Sequence, residues 1–174
     1  MSVSDSVSSM TTRMLLLADT HVPKRARRLP DAVLRAIDDA DVVVHAGDWV
    51  DSPTLDLLES RARSFHGVYG NNDGPELRAR LPEIARFRVE DVGIAVIHET
   101  GAATRREERM DAAFADTDLL VFGHSHIPWD TVSPAGMRLL NPGSPTDRRR
   151  QPVCTMMWAM IDGTSIDTTL VPVR

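Results

Sequence analysis

The first half of the chain alternates short apolar runs with segments whose apolar residues recur every three or four positions. The short continuous runs predict buried strands, and the longer spacing predicts amphipathic helices. Val33 and Ile37 form such a helical stripe after Pro30, and Ser52 is expected to cap a second helix that starts with Pro53. The predicted strands cover residues 14–18, 42–44 and 64–69, and a third short helix is predicted at 75–80.

The second half of the chain changes to a pattern that is typical of hairpins. Residues 87–89 and 94–97 flank a predicted turn at 90–93, and Asp162-Gly163 is a strong turn signal between the last two runs. Further strands are predicted at 118–122, 127–132, 137–140, 153–161 and 164–171, with one charged helix at 104–115. Strand–helix alternation followed by hairpins predicts an α/β fold in which helices cover two sheets.

The length of 174 residues suits one hydrophobic core, and neither an internal repeat nor a long linker divides the chain. We therefore predict a single domain over residues 13–174. Residues 1–12 are rich in serine and threonine and lack the apolar stretch of a secretory signal, so we expect a disordered tail there.

Composition and charge exclude several classes of protein. Hydrophobic residues make up 42% of the chain and charged residues 26%, which is typical of a soluble globular domain. The net charge of −5 argues against a nucleic-acid or membrane partner, and every apolar run is too short for a membrane span. Cys154 is the one cysteine, so an internal disulfide is excluded and a cytoplasmic location is expected. The sequence does not decide between a monomer and a homo-oligomer.

Residue types that bind metals follow five of the apolar runs. The most distinctive segment is Gly123-His124-Ser125-His126, because imidazole is a common metal ligand. In α/β sheets the carboxyl ends of the strands line one crevice, so side chains placed there meet. Seven such ligands, one of them a shared carboxylate, suit two divalent ions about 3.5–4 Å apart. The candidates are Asp19, His21, Asp48, Asn71, His98, His124 and His126.

The motifs around these candidates resemble those of the calcineurin-like metallophosphoesterases, in particular their small single-domain bacterial and archaeal phosphodiesterase branch. The resemblance covers residues 13 to about 171 and implies a four-layer α/β/β/α sandwich with two mixed β-sheets. It rests on Asp19-x-His21, Gly47-Asp48, Gly70-Asn71-x-Asp73, His98, Gly123-His124-x-His126 and Asn141-Pro142-Gly143-Ser144. It implies one ion held by Asp19, His21, Asp48 and His126, and another held by Asp48, Asn71, His98 and His124.

The resemblance also implies an activity, the hydrolysis of a small phosphate ester and more specifically of a phosphodiester. The implied ions are Mn²⁺, with Ni²⁺, Fe²⁺, Zn²⁺ and Co²⁺ as alternatives, and the share of oxygen ligands agrees with Mn²⁺. A hydroxide that bridges the ions is expected to attack phosphorus in line with the leaving group. The implied catalytic residues are Asp48, Asn71, His98 and His124, with Asp48 as a bridging ligand and not as the base.

Two positions depart from the pattern of the family. Asn72 stands where larger relatives have a histidine that serves as general acid, and an amide cannot donate a proton at useful pH. Glu99-Thr100 follows His98 where many relatives have Gly-His. The missing acid supports an alternative, a scaffold that works through protein contacts, as is held for the retromer subunit with this fold. The complete set of ligands favours the enzyme.

Four further residues are assigned less directly. Arg25, in the basic loop 24–28, and Arg148 are predicted to bind substrate through its phosphate, with a solvated surface as the alternative for the loop. His45 alternates with Val43 in a predicted strand, so we expect a hydrogen-bonded core histidine and not a ligand. Asp73 is expected either to orient a neighbouring group or to cap the following helix.

Overall fold

The computed structural model describes residues 10–174, which form two five-stranded sheets and four helices. The strands are β1 (Thr12–Leu17), β2 (Val42–His45), β3 (Phe65–Gly67), β4 (Ala85–Val89), β5 (Val92–Val96), β6 (Leu119–Val121), β7 (Trp129–Val132), β8 (Arg138–Asn141), β9 (Cys154–Asp162) and β10 (Ser165–Val173). The helices are α1 (Asp31–Asp39), α2 (Ser52–Arg61), α3 (Pro75–Arg80) and α4 (Arg106–Ala113). No helix within residues 10–174 is long and apolar enough to span a membrane.

Both sheets are mixed. The first has the order β10-β9-β1-β2-β3, with β1, β2 and β3 parallel and β9 and β10 antiparallel to their neighbours. The second has the order β4-β5-β6-β8-β7, with β5, β6 and β8 parallel. The parallel strands of each sheet therefore end at a common edge, and the loops that follow them carry the candidate ligands.

Alternate side chains of the strands face opposite layers. In β1, Met14 and Leu16 pack against the second sheet, whereas Leu15 and Leu17 pack against α1, α2 and α3. On the far side, Leu120 of β6 joins a third core that includes side chains of α4. Because burial on both faces explains why the strand sequences are continuously apolar, the prediction of a four-layer α/β/β/α sandwich with two mixed sheets is confirmed.

Several element boundaries differ by a few residues from the sequence prediction, including those of β1, α2 and β5. β1 begins at Thr12, inside the predicted tail, because Thr12 pairs with Ile161 of β9. Asp51 caps α2 in place of Ser52, since its carboxylate accepts a hydrogen bond from the Thr54 amide at 3.1 Å. β5 begins at Val92, which shortens the predicted turn. The prediction of disorder for residues 1–9 lies outside the described residues.

Candidate metal centre

Two groups of ligand-type side chains meet where β1, β2, β3, β5 and β6 end. Within each group of three, one ligand atom of each residue lies within 4.8 Å of the others. The first group is Asp19, His21 and His126, and the second group is Asp48, His98 and His124, with the Asn71 side-chain oxygen in contact with both histidines of the second group. The structure therefore brings together all seven residues that the sequence pattern selects.

The first group is enclosed by protein. His21 Nε2 lies 3.2 Å from His126 Nε2, and His126 Nε2 lies 3.8 Å from Asp19 Oδ1. Asp19 is fully buried, yet its Oδ2 has no hydrogen-bond partner among the described residues. A buried carboxylate oxygen without a partner is costly, so the group fits a bound cation.

The second group is built around the Asn71 side chain. Asn71 Oδ1 lies 2.9 Å from His98 Nε2 and 3.1 Å from His124 Nδ1. His98 Nε2 also lies 3.4 Å from Asp48 Oδ2. One amide oxygen, one carboxylate oxygen and two ring nitrogens thus converge, which is a donor set suited to a divalent transition metal.

Asp48 stands between the two groups. Its Oδ2 lies 3.6 Å from His21 Nε2 of the first group and 3.4 Å from His98 Nε2 of the second. The Asn72 side-chain amide donates to the same oxygen at 2.7 Å, and the Asn72 backbone amide donates to Oδ1 at 2.9 Å. A single carboxylate oxygen therefore faces both groups.

The backbone at the centre is held in an unusual conformation. Non-glycine residues seldom adopt positive φ, and each such residue costs on the order of 1–3 kcal/mol. Sites of this kind are over-represented where function requires a fixed geometry. Five of the seven candidates have positive φ: Asp19 (56°), His21 (44°), Asp48 (62°), His124 (71°) and His126 (60°).

Two histidines hold a proton on Nδ1. His98 Nδ1 donates to the backbone oxygen of Ala46 at 2.7 Å, and His126 Nδ1 donates to that of Asp147 at 2.6 Å. A carbonyl oxygen can only accept, so each Nδ1 is protonated. A ring that holds this proton alone presents Nε2 to the centre as a lone-pair donor, which is how ligand histidines are commonly oriented.

Burial and charge shift the pKa values of both groups. In the first group, burial raises the pKa of Asp19 to about 8 and lowers the pKa of His126 to about 4. In the second group, burial opposes the charged forms of Asp48 and His98, but the interaction between them outweighs it. The pKa of Asp48 is therefore lowered and the pKa of His98 is raised. Asp48 is anionic at neutral pH, ready to bind cations.

The loops that carry the ligands are tied together by Asp73. Its carboxylate accepts hydrogen bonds from the backbone amides of Asp48 (3.0 Å), Gly70 (2.7 Å) and Val50 (2.8 Å). Gly70 packs so closely on Asp48 that a Cβ there would overlap the Asp48 carboxylate. Asp73 is expected from the sequence either to orient a neighbouring group or to cap the following helix. The structure shows the first role, because Asp73 orients the loop around Asp48 and the cap of α3 is Gly74.

His45 is a structural residue, as the sequence predicts. It is fully buried and stacks on Trp49 with ring centroids 3.5 Å apart. Its Nδ1 accepts from the Gly47 amide at 3.1 Å, and its Nε2 lies 3.1 Å from the Thr20 hydroxyl. Both ring nitrogens are therefore engaged away from the ligand atoms.

The two arginines assigned to substrate binding each contact another part of the protein. Arg25 Nε is 3.4 Å from Asp147 Oδ2, and Arg148 Nη1 donates to the backbone oxygen of Gln151 at 2.7 Å. Arg149, which the sequence did not single out, contacts the His124 backbone oxygen at 3.3 Å. No pattern in the run of three arginines distinguishes Arg149 from its neighbours. The substrate-binding roles of Arg25 and Arg148 stay predictions.

The architecture and the ligand clusters define a class of protein, and comparison with known sequences gives the family. The calcineurin-like phosphoesterase superfamily domain matches residues 12–164, so the chain belongs to that superfamily. A probable metallophosphoesterase of Methanothermobacter thermautotrophicus is 35% identical over 164 residues, or 90% of each chain. A second, from Methanocaldococcus jannaschii, is 31% identical over 91% of this chain and 80% of its own length.

Solved structures share the fold. A solution structure of a Thermotoga maritima protein is 36% identical, with a TM-score of 0.74, and the match covers 93% of this chain and 99% of that one. Wild-type Vps29 of Entamoeba histolytica, solved with zinc, has a TM-score of 0.74 at 23% identity, with 94% and 100% covered. This second likeness shows a shared fold alone.

Proposed function

We propose that the protein is a dinuclear-metal phosphodiesterase. The observation that carries the proposal is the position of Asp48 Oδ2, 3.6 Å from His21 Nε2 and 3.4 Å from His98 Nε2. A carboxylate oxygen shared by two donor groups is what a pair of adjacent divalent ions requires. The preference for diesters rests on the resemblance to the small phosphodiesterase branch of the family.

The residues present fit two ions. Asp19, His21 and His126 would hold one ion, Asn71, His98 and His124 would hold the other, and Asp48 would be shared. The mixture of carboxylate, amide and imidazole ligands without a thiolate favours Mn²⁺. When bound, such ions supply charge neutralisation at the phosphoryl oxygens and a water of lowered pKa.

The chain itself contributes orientation and preorganisation. The proton on Nδ1 of His98 and of His126 keeps each Nε2 free for a ligand role, and Asp73 fixes the loop around Asp48. The Asn72 amide donates to Asp48 and carries no proton that it could give to a leaving group. Without an acid at position 72, the leaving oxygen is expected to depart as an anion or to take its proton from water.

The experiment is a comparison of metal-free and Mn²⁺-loaded protein. Metal analysis is expected to give two equivalents per chain, and bis(p-nitrophenyl) phosphate should be hydrolysed only by the loaded form. The monoester p-nitrophenyl phosphate should be hydrolysed more slowly. If the loaded protein binds two equivalents of metal but hydrolyses neither ester, the proposal that it is a phosphoesterase is overturned.

That last outcome is the one expected of a scaffold, the second candidate. The observation that favours a scaffold is that Asn72 occupies the position of the acid and is committed to Asp48. The fold shared with Vps29 is compatible with either function. A pull-down that depends on the metal-loaded state, in the absence of hydrolysis, would support the scaffold.

A further inference from the structure

A cleft of about 500 Å³ lies directly beside the second ligand group. Asn71 and His98 belong both to the cleft wall and to the candidate metal centre. A volume of this size falls within the range of roughly 300–1,000 Å³ that is typical of small-ligand sites. A phosphoryl group held at the metal centre would therefore place one of its substituents next to this cleft.

One wall of the cleft is apolar and is assembled from both halves of the fold. Tyr69 follows β3, whereas Ile97 follows β5 and Met110 lies on α4. Ile84 also belongs to the wall and keeps 44% of its surface exposed. Apolar and aromatic side chains around a few polar groups are the usual lining of a site for an organic ligand.

The cleft also contains one fixed cation. Arg78 Nε donates to the Asp73 backbone oxygen at 2.7 Å, and its Nη2 donates to the Gly70 backbone oxygen at 3.2 Å. The guanidinium lies 4.5 Å above the centroid of the Tyr69 ring. Its Nη1 has no hydrogen bond to any described residue, so the two N–H groups of this nitrogen remain for a ligand.

Charge on the cleft wall disfavours a second anionic group. Away from the metal centre, the charged side chains that line the cleft are Glu83, Glu99 and Arg78, so two carboxylates accompany one guanidinium. A neutral planar substituent on the phosphoryl group is the most compatible with this wall. It contacts the apolar side chains and offers at most an acceptor atom to Arg78 Nη1.

We propose that this cleft binds a neutral aromatic ester group of the substrate. The proposal rests on the phosphodiesterase function proposed above and adds the class of substrate, a phosphodiester with at least one aryl-sized, uncharged substituent. Ile84 is then a specificity residue for the organic group and takes no part in holding the phosphoryl group.

The test compares two phosphonates that differ only in the organic group. Phenylphosphonate and methylphosphonate carry the same head group, and their binding to the Mn²⁺-loaded protein is measured by calorimetry. Phenylphosphonate is expected to bind at least about 10-fold more tightly, since even one methylene in an apolar pocket is worth roughly 10-fold. Ile84→Asn should abolish most of this advantage.

A matched control comes from β10, the edge strand of the first sheet that lies farthest in strand order from β3. Leu170 of β10 is 44% exposed, like Ile84, and Leu170→Asn should keep the wild-type ratio of the two affinities. Both positions are half-exposed, so neither variant removes core packing, and a melting curve checks this.

The outcomes separate the two proposals. Equal binding of the two phosphonates to the wild type, or an unchanged ratio in Ile84→Asn, overturns the aryl site and leaves the phosphodiesterase intact. A loaded protein that binds neither phosphonate and hydrolyses no ester overturns both.

Discussion

The two ligand groups differ chiefly in their exposure to solvent. In the first, the side chains of Asp19 and His126 are fully buried. In the second, His124 keeps 41% of its side chain exposed, and the aryl-sized cleft opens beside His98. Closed metal sites generally have structural roles, whereas catalytic sites keep an open position. We infer that an ion in the first group is the more firmly held, and that substrate meets the second.

Removing the residue common to both groups should have the largest effect. Asp48→Ala takes away the shared oxygen and leaves His21 and His98 without their carboxylate partner. We expect loss of both ions and of all measurable hydrolysis. Metal analysis together with the diester assay measures this. A variant that retained two equivalents of metal at near-normal rate would contradict the bridging role.

Removing one histidine from each group should separate the two sites. His126→Ala is expected to weaken the buried ion, and His124→Ala the exposed one, each by more than the 10–100-fold typical of residues that only support ligands. Activity of His124→Ala should recover in excess Mn²⁺, because that site is open.

His66→Ala is the matched control for the histidine variants. His66 stacks on Phe87 with ring centroids 3.6 Å apart and belongs to neither ligand group. The His66→Ala variant should leave the affinities of both metal sites unchanged. Equal weakening of both ions by His124→Ala and His126→Ala would remove the distinction between a closed and an open site.

The ligand set could be read from the sequence because strand periodicity and topology act together. Each candidate follows an apolar run, and parallel strands of one sheet end at a common edge, so side chains far apart in sequence converge. The shared role of Asp48 came from resemblance, and the geometry supports it.

The cleft could not be read in this way. Tyr69, Met110 and Ile84 come from different layers, and no local pattern marks them as neighbours. The prediction that Ser52 caps α2 was wrong for a different reason. Asp51 and Ser52 are adjacent, and both residue types are good helix caps. The choice between them depends on the backbone conformation just before the helix. The Asp73 carboxylate, 23 residues further along the chain, holds that backbone through the Val50 amide.

Metal binding should release protons from both groups. The pKa of Asp19 is raised to about 8 by burial, and the pKa of His98 is raised because Asp48 and Asp19 outweigh burial. Asp19 therefore carries a proton at pH 7 that a cation must displace, and the raised pKa of His98 means that its ring keeps a second proton to higher pH than a free imidazole does. His21 and His126 have lowered pKa values and are already neutral.

Mn²⁺ affinity should therefore rise with pH up to about pH 8, by as much as about tenfold per pH unit for each proton displaced. Calorimetry in buffers of different ionisation enthalpy counts the protons. Asp19→Asn should eliminate the proton that metal binding releases from the first ligand group, and Asp19→Glu should retain that proton release. An affinity that is constant between about pH 6 and pH 8 would contradict these assignments.

The smallest expected effect is that of Asn72. Its side-chain amide donates to Asp48 Oδ2 at 2.7 Å, so Asn72→Ala removes one hydrogen bond to a charged group, worth roughly 1.5–3 kcal/mol when buried and less at this exposed position. Mn²⁺ affinity should fall modestly, and the dependence of rate on leaving-group pKa should stay steep. General acid catalysis is typically worth about 10²–10⁴-fold, so aryl diesters should far exceed alkyl diesters in both proteins.

A rate series over substituted phenyl and alkyl phosphodiesters at saturating Mn²⁺ measures this dependence. Asn72→His should flatten it, provided that the imidazole reaches the leaving oxygen instead of Asp48. A shallow dependence in the wild type would mean that another group protonates the leaving oxygen. Glu99, whose Oε1 lies 3.7 Å from His124 Nε2 on the open side of the centre, would be the first residue to change.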